Sequence, residues 1–119
     1  MAYRGELSTA LLTDEAIRAK DFAKWRHAHR HFARGRDRET VDRYKAEITA
    51  RGGLKTPIWL DVDDKTGWVY VGDGHHRAVA LLELGVPRLA FHWRLLSKWG
   101  WFSLPPLEND SFPYHLLGL

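Results

Sequence analysis

The sequence predicts an α+β fold, a small mixed sheet packed with helices, on three observations. Two short runs, Ile58-Trp-Leu-Asp-Val62 and Trp68-Val-Tyr-Val71, are rich in β-branched and aromatic residues and flank the turn formers Asp63-Asp-Lys-Thr-Gly67. The second run passes through Gly72-Asp-Gly74 into a helical pattern with apolar Val79, Leu81, Leu82 and Leu84. Upstream, Val41, Tyr44 and Ile48 recur at helical spacing before Gly52-Gly53.

Taken in order, residues 1–12 show no period and are expected to form a loop or arm. Thr13 before Asp14-Glu15 reads as a helix N-cap with acids in the first turn. Ile17, Phe22, Trp25 and Phe32 fit one broad apolar face, so helix is expected from there until Gly35 and the charged string after it break the pattern. Next come a helix over 39–51, strands over 58–62 and 68–71, and a helix stopped by Gly85 and Pro87. A strand over 89–93 follows, and the aromatics of 95–119 are expected to cover the core as an ordered tail. The 119 residues read as one domain: a basic helical extension (1–38), a core (39–94) and an aromatic tail (95–119).

Composition narrows the chemistry. With no cysteine, disulfides, thiolate metal sites and thiol catalysis are excluded. No run is long enough to span a bilayer and the start has no apolar signal core, so a cytoplasmic protein with no membrane partner is expected. The net charge of +3 is modest but unevenly spread. Residues 18–38 hold eight lysines and arginines against only Asp21 and Asp37, which points to a polyanion, nucleic acid first among them. Lys24, Arg26, Arg30 and Arg34 are the expected contacts, on the exposed face of the first helix. His27 and His31 share that helix at a spacing of four, but no third ligand accompanies them and no metal site is expected.

The strand–glycine–helix corner is the chemical site to which the sequence points. Such a corner presents unpaired backbone N–H groups and the positive end of a helix dipole to an anion. Here it also carries Asp73, His75, His76 and Arg77, more polar groups than a structural corner needs. Asp73, His75 and His76 are candidates to move protons or hold a divalent metal, with Asp73 alternatively a helix cap and one histidine a pocket wall.

The run 44–93 resembles the ParB/sulfiredoxin-like superfamily in its small phage and actinobacterial form. The resemblance rests on the helix beginning Val41-Asp-Arg-Tyr, on Gly52-Gly-Leu-Lys-Thr-Pro57, on the strand pair and on Gly72-Asp-Gly-His-His-Arg-Ala78. It implies a compact fold that binds a nucleoside triphosphate, ATP or CTP with Mg2+, at the turn before the helix. Gly72 and Gly74 would admit the phosphates, His75, His76 and Arg77 would line or neutralise them, and Thr56-Pro57 would lie beside the base or sugar. His75 stands where sulfiredoxin has its cysteine, so sulfinic-acid repair is excluded. No helix-turn-helix module follows the box, and Glu108-Asn-Asp-Ser-Phe112 does not supply the Glu-Asn-x-x-Arg motif of clamp-forming ParB proteins.

The leading expectation is a nucleotide-binding domain acting on or near DNA, as a nuclease or NTPase. Two others stand beside it. One is a small phosphotransferase like free-amino-acid kinases, with Glu47 as general base. The other is a non-enzymatic phage factor that binds a host protein or DNA.

Overall fold

The computed structural model describes residues 5–96, 103–104 and 111–119, and the expected hairpin forms the middle of its sheet. Strands β3 (Ile58–Asp63) and β4 (Val69–Asp73) pair antiparallel. Their turn closes because Asp63 Oδ1 accepts the Lys65 N–H at 2.9 Å and Gly67 takes φ 74°. Strand β5 (Arg88–Leu96) runs parallel to β3 on its other side, with Leu60 opposite Trp93 and Asp61 opposite Arg94. It is longer than the expected 89–93.

Helix α2 (Gly35–Arg51) and helix α3 (His75–Leu84) lie side by side. Glu83 joins them, accepting from Arg38 at 2.6 and 2.9 Å and from Lys45 at 3.2 Å. The Arg38 hydrogen bond, with help from Lys45, holds the Glu83 carboxyl down to about 2. Helix α3 ends in a Schellman turn, with Gly85 left-handed at φ 68° and the Val86 N–H bonded to the Leu81 carbonyl at 3.0 Å. Val41 and Ile48 of α2, and Ala78, Val79, Ala80 and Leu81 of α3, share one core with Ile58, Leu60, Val62, Val71 and Phe91. Leu84, expected among the apolar face, is exposed instead.

The N-terminal expectation is corrected. No helix starts at Thr13; Ile17–Ala19 is a strand, β2, parallel to β4, and the helix α1 covers only Trp25–His31. The apparent helical period of Ile17, Phe22, Trp25 and Phe32 was shared between a strand, a turn and a short helix, all of them buried or half-buried for different reasons. Asp14 does cap a helix, but eleven residues downstream: its Oδ1 accepts the Trp25 N–H at 2.7 Å. The Trp25 indole then donates to the Ile17 carbonyl at 2.8 Å, which ties α1 to β2. The supposed arm holds β1 (Gly5–Ser8), antiparallel to β5, followed by a 3-10 turn. Helix α2 starts at Gly35, not at residue 39, so the charged string thought to break the chain is its first turn.

The sheet order is β1-β5-β3-β4-β2, and a short β6 (Ser103–Leu104) also pairs with β5. Of the aromatic tail, Phe112 is buried edge-on to Phe91 and Trp93 at 4.9 and 5.5 Å, so this part covers the core as expected. Trp99, Trp101 and Phe102, and the residues around Glu108-Asn109, lie outside the described residues. No helix among the described residues is long and apolar enough to cross a membrane.

One polar group is fully buried in the sheet. Asp61, on the β3 face opposite Leu60 and Val62, bonds Lys20 Nζ at 2.6 Å and Arg94 Nε at 2.5 Å. Its carboxylate lies over Gly72, where a Cβ would overlap it. Gly72→Ala is therefore expected to destabilise the fold by about 1–3 kcal/mol, the usual cost of overpacking. In an Asp61→Ala background the same change should cost much less, and chemical denaturation of the four-member cycle measures that coupling.

Candidate functional site

Helix α3 begins where the sequence placed it, at the glycine turn. Gly74 is its N-cap, left-handed at φ 109°, and no side chain caps the helix. The first intrahelical bond runs from the Ala78 N–H to the Gly74 carbonyl, so the N–H groups of His75, His76 and Arg77 have no partner one turn back. The N-terminus of α2 is likewise without a side-chain cap.

A cleft of about 340 Å³ opens at the α3 turn, lined among others by Gly72, Asp73, Gly74, His75 and His76. Phe22, His31 and Asp37 form its other wall and also line an adjoining groove of about 710 Å³. That groove is edged by His27, Arg30, Arg34, Gly35 and Arg36. Two sets of residues that the sequence separated are thus brought together: the glycine-histidine box and the basic extension. Arg30 on α1 and Arg34, just before α2 rather than on the first helix, line the groove that adjoins the cleft of His75 and His76, whereas Lys24, just before α1, and Arg26 on it are exposed and line neither.

The histidines differ sharply in their surroundings. His75 is buried, and its Nε2 accepts the Lys20 N–H at 3.1 Å, so its proton sits on Nδ1, 3.7 Å from Asp21 Oδ2. Burial pushes its pKa below the ordinary value, with Asp21 opposing, and keeps the ring neutral near pH 7. It is a wall of the site rather than an acid. His76 is stacked on Phe32, ring centroids 4.4 Å apart, and its Nε2 donates to Asp37 Oδ1 at 2.9 Å. His31 Nε2 meets the other oxygen, Asp37 Oδ2, at 2.9 Å. The His76 hydrogen bond and then the two imidazoles hold the Asp37 carboxyl below the usual range. Asp37 was not anticipated as a site residue; being one of only two acids in a basic stretch was its only signal.

Other expected residues have different jobs. Arg77 is buried, and its Nη1 donates to the Thr56 and Pro57 carbonyls at 3.1 and 2.9 Å while Nη2 lies 3.4 Å from Asp73. It ties down the 56–57 loop. Thr56 and Pro57 thus touch the box through their carbonyls. Asp73 does not cap α3 but pairs with Arg77 across one turn. Glu47 accepts the Lys55 N–H at 3.2 Å, so its visible role is to anchor the same loop. Among the described residues no cluster of three or more acids and histidines is arranged to hold a metal, and His31, half of the histidine pair at spacing four, is engaged with Asp37.

Arg77→Ala should lower stability by about 2–4 kcal/mol, because two carbonyls lose a charged donor in a buried corner. Thermal unfolding of the unliganded protein measures it. A second expectation concerns pH. His75 titrates near 6.5 when unfolded and lower when folded, so below 6.5 the unfolded chain binds the extra proton. Its contribution to stability is complete above 6.5 and is lost as pH falls below it. The drop in melting midpoint between about pH 7.5 and pH 5.5 should accordingly be smaller in His75→Gln than in the wild type.

No protein-family model matches the chain, and neither does any curated protein sequence. Among solved structures it is similar to the sulfiredoxin from Arabidopsis thaliana, at 24% identity and a TM-score of 0.54, over 78% of this chain and 85% of that one. With its mixed sheet, its paired helices and its glycine corner, the chain has the ParB/sulfiredoxin-like fold.

Proposed function

We propose that this domain binds a nucleoside triphosphate, with its phosphates between the α3 turn and the arginine-edged groove, and that it works on or near nucleic acid. The observation that carries the reading is the convergence of two uncapped helix N-termini with Arg30, Arg34 and Arg36 on two adjoining depressions that share Phe22, His31 and Asp37 as a wall. Each helix start offers free N–H groups and a partial positive charge, and guanidinium forks match phosphate oxygens.

His76 is the residue best suited to proton movement. Asp37 holds its Nε2–H, leaving Nδ1 as the position for an exchangeable proton, as expected of a base oriented by a carboxylate. Mg2+ would accompany the nucleotide, since this cation binds mainly through phosphates and water. Lys24, just before α1, and Arg26 on it are exposed beyond the groove and would extend contact to a polyanion longer than a nucleotide. Glu47, bound to the 55–57 loop, gives the phosphotransferase reading no support.

Calorimetric titration with ATP, CTP, GTP and inorganic phosphate, with and without magnesium, tests the proposal. A saturable triphosphate signal is expected, weakened roughly tenfold or more in Arg34→Glu by loss of a charged contact. Absence of binding by every nucleotide would overturn it. Arg34 is a better probe than Arg77, whose removal would disturb the fold as well as the site.

A further inference from the structure

We propose that the sheet face opposite the core carries a base-stacking subsite for single-stranded nucleic acid, built on Trp68, Tyr70 and Arg18. Among the described residues, Trp68 is the exposed large aromatic, at 46%. It begins the return limb of the central hairpin, on the same side as Tyr70, with ring centroids 6.3 Å apart. Arg18 of β2 sits opposite Tyr70 in the parallel register and lays its guanidinium 4.1 Å from the Trp68 ring centre. Together with Lys20 and Phe22 they line a depression of about 410 Å³.

The chemistry of this surface is specific. A wide indole face and a phenol edge suit a planar base, which stacks without regard to sequence. Among the described residues Arg18 makes no ion pair or side-chain hydrogen bond, so its donors are free for a backbone phosphate while its plane stays against the ring. Lys20 and Arg94 share the single carboxylate of Asp61, and a second cation, Arg94, lies 5.5 Å from the Trp59 ring. Asp21 lines the depression as well and Asp63 acts on Tyr70 from the hairpin, so Arg18, against the ring and clear of every carboxylate among the described residues, is the cation that a backbone phosphate would meet.

Two features favour a strand over a lone nucleotide or a duplex. Asp21 and Phe22 line both this depression and the α3 cleft, so the two adjoin on either side of one short segment. A chain with phosphates and bases in alternation can occupy both, whereas paired bases cannot turn a face to the indole. This path rests on the phosphate reading of the α3 cleft; the stacking contact itself does not.

The test is fluorescence anisotropy with a labelled oligothymidylate of about ten nucleotides, its base-free counterpart and a duplex of equal length. The proteins are the wild type, Trp68→Ala and Trp68→Phe. The expected result is tightest binding of the oligothymidylate, loss of about tenfold in Trp68→Ala, recovery of most of it in Trp68→Phe, and no change for the base-free strand. Equal affinity of wild type and Trp68→Ala overturns the proposal, as does a base-free strand or duplex that binds as well as the oligothymidylate. Because Trp68 is outside the core, an unchanged melting midpoint certifies the variant. Triphosphate binding with a silent Trp68→Ala would refute the stacking subsite alone. Trp68-dependent strand binding without triphosphate binding would refute the cleft reading alone.

Discussion

One buried guanidinium fixes the corner on which the rest depends. Arg77 reaches from α3 to the carbonyls of Thr56 and Pro57 and to Asp73 at the end of β4, so three segments are pinned by a single side chain. Charged donors to carbonyls in a dry setting are among the stronger hydrogen bonds available. Gly74 is part of the same device: a Cβ there would lie 2.9 Å from Arg77 Nη2, and its φ of 109° disfavours any side chain. The direction in which the free N–H groups of α3 point is thus set from behind, by a residue that takes no part in lining the cleft.

Where the sequence was legible, the signals were local. The hairpin, the strand–glycine–helix corner and most of α2 followed from periods and turn residues that need no distant partner. The N-terminal third was not legible because its structure is made by other segments. β2 is three residues long and is a strand only because β4 lies beside it, and Asp14 caps a helix that begins eleven residues later. An apolar period interrupted by Arg18, Lys20 and Lys24 fits several structures, and tertiary pairing chose among them.

The site shows the same division. Gly72, Gly74, His75 and His76 were named from the strand–glycine–helix layout and from the family resemblance, and all four line the cleft. Their roles were not readable: burial favours the neutral form of His75 and a backbone N–H from 55 residues away makes its Nε2 the acceptor, while His76 is oriented by Asp37, 39 residues away. Arg77 had the right chemistry for phosphate, and the structure engages its guanidinium with the Thr56 and Pro57 carbonyls and with Asp73. Asp61, an acid inside an apolar strand, was not read as anything but a strand residue; buried there, its carboxylate requires the cations that Lys20 and Arg94 supply. The basic extension, expected as an appendage, is instead a wall of the cleft.

Lys20 has a consequence of its own. Its N–H holds His75 at the cleft, while its Nζ holds Asp61 beneath the opposite face of the sheet. The segment from Lys20 to Phe22 is therefore a common partition between two surfaces. A ligand that shifts this partition from one side alters the shape offered on the other. Linkage makes any such effect mutual, so occupancy of either surface would change affinity at the other by the same factor. Were both surfaces to bind ligands, the short partition would couple them within one chain, without a second subunit.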